Sequence, residues 1–211
     1  MLRGFDFSYH NNNDIFEDGV EKGDFIIIKA TEGRTYTDPK FNERITRINK
    51  DLCGVYHYAR PDNNTPEKEV DNFYNVIKPY LTDTMITVLD WEGKALNYSF
   101  DWALKFCKLL EEKTNRPCII YGSASVIKKY AHQYKYWWTA HYYKCDNGCN
   151  HDGVEELITQ YTSTPYDMDV FHGNREDWLV LCGNKKEVTK KVLAEWKEGN
   201  KKYYVICEGK Q

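Results

Sequence analysis

Eight short runs rich in β-branched and aromatic residues recur along the chain, each of strand length, and amphipathic stretches separate most of the earlier ones. The runs are Leu2 to Phe7, Phe25 to Ala30, Cys53 to Tyr58, Met85 to Asp90, Pro117 to Tyr121, Tyr136 to Ala140, Leu157 to Tyr161 and Asp167 to Phe171. Strands alternating with helices are the mark of βα units around a parallel sheet. The intervening patterns predict helices over Pro39 to Lys50, Pro66 to Ile77, Ser99 to Lys113 and Ser123 to His132. In the third of these Ser99 can cap the N-terminus, and Trp102, Phe106, Leu109 and Leu110 recur at helical spacing. No helical pattern of comparable quality follows Tyr136, and Asn11 to Asn13 reads as polar loop. The expectation is an α/β fold of one domain over residues 1–183: an irregular TIM-like barrel with helices around its first part and bare strands closing the rest. Residues 184–211 read as a short helix-strand extension, a cap or a linker stub. Val188, Val192, Leu193 and Trp196 share a helical face there, and Tyr203 to Cys207 has strand character.

Composition narrows the function classes. Hydrophobic residues make up 41% of the 211, enough for one sizeable core. With 29 Lys and Arg against 32 Asp and Glu, the net charge of −3 provides no field to gather phosphate backbones or acidic membranes, so neither nucleic acid nor a membrane surface is an expected partner. No run approaches the ~20 apolar residues of a spanning helix. The chain enters a strand at Leu2, leaving no room for a signal peptide. The seven cysteines are odd in number and scattered, as suits reduced thiols. Synthesis in a cytoplasm is the expectation, and a monomer.

In parallel α/β barrels the active site collects at the C-terminal ends of the strands. The residues there are unusually polar: Asp6 and Ser8, Lys29 to Glu32, His57, Tyr58 and Arg60, Asp90 with Glu92, Tyr121, His141 with Tyr142, Gln160 with Tyr161, and Asp169. Four carboxylates, Asp6, Asp90, Glu92 and Asp169, are thus expected at one mouth. Side chains two apart on a strand share a face, which makes Asp90 and Glu92 neighbours. Repulsion and burial then keep a proton on one of them, and the longer Glu92 is assigned as general acid. Acid chemistry beside carboxylates that stabilise positive charge is what glycosidic cleavage requires. A lone Asp-x-Glu is more often a cap, a surface ion pair or a metal-ligand pair than a catalytic one. Four buried acids with few nearby cations cost stability unless a function retains them. Aromatic residues at the same strand ends, among them Tyr56, Tyr58, Trp91, Tyr121, Trp137, Trp138, Tyr142 and Tyr161, can stack on sugar faces, whereas Trp102, Trp178 and Trp196 read as core.

Gly4-Phe5-Asp6-Phe7-Ser8 resembles the opening of the family 25 glycoside hydrolases, the barrel-fold lysozymes. Further matches follow in the same order: Ile27 to Gly33, Gly54 to Tyr58, Leu89 to Glu92, Ile120 to Ser123, Trp138 to Tyr142, Gln160 to Ser163 and Asp167 to Phe171. The resemblance covers about residues 3 to 183. It implies a (β/α)5(β)3 barrel and an N-acetylmuramidase that hydrolyses the β-1,4 bond between N-acetylmuramic acid and N-acetylglucosamine in peptidoglycan, without metal or cofactor. It also implies Glu92 as acid/base, with Asp90, Asp6 and Asp169 as the other catalytic carboxylates. Tyr58, Tyr121, Tyr142, Gln160, Tyr161, Lys29 and Glu32 are the expected substrate contacts. For the second half of the reaction it favours attack by the substrate's 2-acetamido oxygen, with retention, over a carboxylate nucleophile or base. A phage endolysin that meets the wall after release from the cell fits this picture, as does an autolysin.

Three other readings compete. Cys145, Cys149, His141 and His151 could bind zinc, or the two cysteines could form a disulfide, although structural zinc sites usually pair Cys-x2-Cys units. The acids could hold Mg²⁺ or Ca²⁺ in a barrel phosphodiesterase, which would need more basic groups for phosphate. A cell-wall-binding barrel without catalysis would have no reason to keep the acids.

Overall fold

A computed structural model describes residues 1–48, 51–62, 64–142 and 156–184, and the backbone of 189–198 and 201–209. The elements run β1 (Leu2–Phe7), α1 (Asn13–Lys22), β2 (Phe25–Glu32), β3 (Tyr36–Thr37), α2 (Phe41–Arg47), β4 (Leu52–Tyr58), α3 (Pro66–Ile77), β5 (Met85–Asp90), α4 (Asp101–Thr114) and β6 (Cys118–Ser123). They continue α5 (Ala124–Tyr130), β7 (Trp137–Ala140), β8 (Ile158–Thr162), β9 (Met168–Phe171), α6 (Arg175–Leu181), β10 (Thr189–Glu198) and β11 (Lys201–Gly209).

Eight strands close into a barrel in the order β1-β2-β4-β5-β6-β7-β8-β9 and back to β1. Neighbours are parallel except β9, which runs antiparallel to both β8 and β1. The two-residue β3 pairs antiparallel with the end of β2. This is the expected irregular barrel, and all eight predicted strands are in it.

Period-two alternation divides the strands' apolar residues into two layers. Phe25, Ile27, Ile86, Val88, Ile119 and Ile158 form one cluster, which fills the barrel. Ile26, Ile28, Val55, Leu89 and Ile120 form the other, with Phe73, Phe106 and Leu110 from the surrounding helices. The interior is tight enough to require glycine at Gly4, where a Cβ would lie 2.4 Å from the Phe25 ring.

Two helices were not expected. The Asn11 to Asn13 run, read as loop, instead starts α1: the Asn12 side chain accepts from the Ile15 N–H at 2.8 Å and caps the helix. In α6, Asn174 and Asp177 form a reciprocal capping box. Its Trp178 is fully buried against Phe25 and Phe171, with ring centroids 4.8 and 5.3 Å away, and its indole N–H donates to the Thr84 carbonyl at 2.9 Å. Phe25 opens β2, Phe171 ends the antiparallel β9 and Thr84 precedes β5. α6 therefore plugs the end of the barrel opposite the C-terminal ends of the parallel strands. The cap of α4 also differs, since Phe100 holds the N-cap position while the Ser99 hydroxyl accepts from the Asp101 N–H at 3.3 Å.

The expected helix in the extension is overturned: β10 and β11 form a separate antiparallel hairpin whose register pairs Trp196 with Tyr203 and Glu198 with Lys201. The spacing Val192, Ala194, Trp196 fits a strand as well as Val188, Val192, Trp196 fits a helix. Gly199-Asn200 between two β-rich runs is a hairpin signal that outweighs the helical one.

Trp178→Ala removes the plug's anchor. The expected cost is about 3–5 kcal/mol, read as a lower urea midpoint, and a change under about 1 kcal/mol would contradict the plug.

Candidate active site

The C-terminal mouth of the barrel holds a cavity of about 230 Å³. Four carboxylates line it, Asp6, Asp90, Glu92 and Asp167, together with Gln160 and the aromatic side chains of Tyr56, Tyr121, Trp138 and Tyr142. A larger and more open groove of about 710 Å³ lies alongside, with Lys29 and Glu32 in its wall.

Local geometry brings the acids together. Asp90 ends β5, and Trp91 turns outward: its N–H donates to the Tyr121 carbonyl at 2.9 Å and its ring is buried against Trp102 at 5.7 Å. The chain is thereby fixed so that Glu92 returns to the cavity face. It then turns at Gly93, whose φ of +55° favours glycine and where a Cβ would lie 2.6 Å from the Tyr58 hydroxyl. From β1, Asp6 accepts from Gln160 Nε2 at 2.7 Å. The Gln160 carbonyl in turn accepts from the hydroxyls of Tyr121 and Tyr142, both at 2.9 Å. Those two donors fix the amide's orientation, so its N–H must face the acid.

Burial dominates the electrostatics. It pushes Asp6 up to about 8, helped by the charge of Asp167 and opposed by the Gln160 hydrogen bond. Asp90 is held well above the usual carboxylate range by burial and by Glu92, with Lys29 opposing. Glu92 is raised by burial and by Asp167, against the pull of Lys29. Asp167 is raised by its own burial. One oxygen of Asp90, Oδ1, is buried and receives no hydrogen bond from the described residues.

Asp169 lies deeper than the mouth to which the sequence assigned it. It is fully buried and accepts from the Trp138 indole N–H at 2.8 Å. Burial and the charge of Asp6 raise it far above its ordinary value, and its Oδ2 is buried with no hydrogen-bond partner among the described residues. Asp167, two residues earlier on the same face, is the one that reaches the cavity. The i, i+2 spacing that picked out Asp90 and Glu92 also fits Asp167 and Asp169, and could have found it.

The expected contacts divide. Tyr121, Tyr142 and Gln160 line the cavity, whereas Lys29 and Glu32 line the groove, joined by an ion pair of 2.7 Å. Tyr58 lines neither: its ring lies 4.8 Å from Lys29 Nζ and its hydroxyl is held against Gly93. Tyr161 points away, its hydroxyl 3.4 Å from the Met168 sulfur. Tyr56 and Trp138, noted only as aromatic neighbours, are part of the wall. Among the described residues no group of three His, Cys, Asp or Glu is arranged to hold a metal ion. Cys145, Cys149 and His151 lie outside the described residues.

The family model of glycosyl hydrolases family 25 matches residues 5–170. The chain belongs to this family. Among curated proteins it is 28% identical over 180 residues to the uncharacterized protein YegX of Escherichia coli, covering 77% of this chain and 64% of that one. It is 32% identical over 136 residues to an N,O-diacetylmuramidase of Arthroderma benhamiae, covering 58% and 57%. The chain thus spans less than two thirds of the length of these relatives. Among solved structures, a family GH25 lysozyme from Aspergillus fumigatus superposes with a TM-score of 0.69 at 24% identity, over 87% of this chain and 99% of that one. That likeness establishes the fold as the irregular barrel of this family.

The raised acids set a pH dependence. Folded Asp6 binds its proton up to about pH 8, against 3.8 for an ordinary Asp, so the folded state holds the extra proton in this window. Its contribution to stability is complete below about pH 4 and is lost as pH rises towards 8. Asp6→Asn removes that loss. The stability of the variant relative to wild type should therefore rise between pH 4 and pH 8.5 in denaturant titrations, and an unchanged difference would contradict the raised Asp6.

Proposed function

We propose that the protein is an N-acetylmuramidase that cleaves the β-1,4 bond between N-acetylmuramic acid and N-acetylglucosamine in peptidoglycan glycan strands. The observation that carries this reading is the cavity itself: Glu92, its proton held more tightly than an ordinary glutamic acid's, beside Asp90 at the mouth of a family 25 barrel, walled by aromatic rings. The muramidase and lysozyme names of several relatives support it.

Glu92 donates its proton to the glycosidic oxygen as the C1–O bond breaks. It is only partly buried, so it reaches the solvent side where the leaving sugar departs. Positive charge develops at C1 and the ring oxygen, and the carboxylates around the cavity stabilise it. The 2-acetamido oxygen then closes on C1, forming an oxazolinium ion; the Glu92 carboxylate takes a proton from the water that attacks C1, the C1–O bond to the acetamido group breaks, and configuration is retained. Asp90, which lines the cavity beside Glu92, orients the acetamido group for its closure on C1. Gln160, held by two tyrosines, keeps Asp6 in position. Tyr56 and Tyr121 offer flat surfaces to the sugar. The four described cysteines are free and buried, consistent with synthesis in a reducing compartment and encounter with the wall after release.

Glu92→Gln should lower the release of reducing ends from purified peptidoglycan by about 10²- to 10⁴-fold, with muramic acid at the new termini by mass spectrometry. Wild-type activity should persist in EDTA. Its rate should fall on the alkaline side as Glu92 loses its proton, at a pH above the ordinary carboxylate range. An α-anomer as first product in an NMR time course would overturn the acetamido step, and N-acetylglucosamine at the new reducing ends would overturn the bond assignment.

A further inference from the structure

The groove beside the acidic cavity differs from it in charge. Its basic groups are Lys29, Arg34 and Arg60, and its acids are Glu32 and Asp62. Glu32 binds Lys29 through one oxygen at 2.7 Å and Arg60 through the other at 2.8 Å, and Asp62 binds Arg60 at 3.2 Å. Both acids are thus occupied. Arg34, exposed at the turn between β2 and β3, has no acidic partner among the described residues.

The turn that carries Arg34 is built rather than loose. Gly33 takes φ +55°, and its N–H donates to the Tyr58 carbonyl at 3.2 Å. From α3, Asn72 Nδ2 donates to the carbonyls of Gly33 at 2.9 Å and Tyr36 at 3.2 Å, clamping both sides of the turn. A guanidinium on a fixed turn loses less entropy on binding an anion than one on a mobile loop. The exposed rings of Tyr9 and Tyr36 flank it.

The two chambers sort the substrate by charge. A sugar ring that becomes cationic belongs among the carboxylates of the smaller cavity, and an anionic substituent is repelled there. Peptidoglycan carries such substituents, because alternate sugars bear a lactyl ether amide-linked to a short peptide with free carboxylates. We infer that the groove binds this stem peptide, with Arg34 pairing with one of its carboxylates. This deepens the muramidase reading and rests on it.

The test compares two soluble tetrasaccharides of alternating N-acetylglucosamine and N-acetylmuramic acid, one bearing Ala-Glu stems and the other the same stems with every carboxylate converted to carboxamide. Wild type should cleave the acidic form with a KM lower by on the order of tenfold, an advantage that shrinks as salt is raised. Arg34→Ala should bring the ratio of the two KM values to about one, and Arg34→Glu should invert it, while kcat for the two substrates stays equal within each enzyme. Equal KM values in wild type, or a preference that survives Arg34→Ala, would overturn this inference and leave the muramidase reading standing. Cleavage of neither substrate by wild type would overturn both.

Discussion

Asp6, Asp90, Glu92 and Asp167 face one another in a cavity of about 230 Å³, and burying like charges at that density opposes folding. Two provisions make the arrangement tenable. Protons remain on Asp6 and Asp90 well above the ordinary carboxylate range, which lowers the charge to be confined. The closed ring of strands then holds the groups in place, since each acid sits on or next to a strand whose two faces are packed. Lys29 supplies the nearby positive charge, and Glu32 and Arg60 keep its side chain from swinging towards the acids and neutralising them outright.

The same confinement accounts for the division of labour among the polar groups. Gln160 reaches Asp6 and two tyrosines at once, so a single amide ties β1, β6 and the residues after β7 across the mouth. Trp91 works on the other side of the wall. Its ring is packed among α4 aromatics, and this outward anchor sets how Asp90 and Glu92 stand to one another inside. The outer helices therefore reach the chemistry through the backbone of one tripeptide.

Much of this was legible because strand periodicity is strict. The eight barrel strands, the pairing of Asp90 with Glu92, and the places of Asp6, Tyr121 and Gln160 follow from short apolar runs and a period of two. The same rule puts Tyr161 on the face opposite Gln160, so its absence from the cavity was readable too. Depth was not readable. Whether Asp167 or Asp169 reaches the mouth depends on β9 running antiparallel, which sets the earlier residue nearer the opening. The helices α1 and α6 were hidden by their caps: an Asn triplet resembles loop, and a seven-residue helix offers too few turns for a periodic pattern. In residues 189–209 the apolar spacing fits either period, and only the Gly-Asn pair decides.

The plug formed by α6 bears on how the domain comes into being. Asp6 lies on the first strand, yet the amide that holds it is on β8, its other strand neighbour is β9, and the barrel floor beneath it is completed by Trp178. Contacts so distant in sequence make closure slow and late. A nascent chain emerging from the ribosome would carry most of its helices and strands before it could seal the interior, and would have no assembled acid cluster until the residues of α6 were free. A domain built this way assembles its acid-lined mouth in the same step that finishes its core.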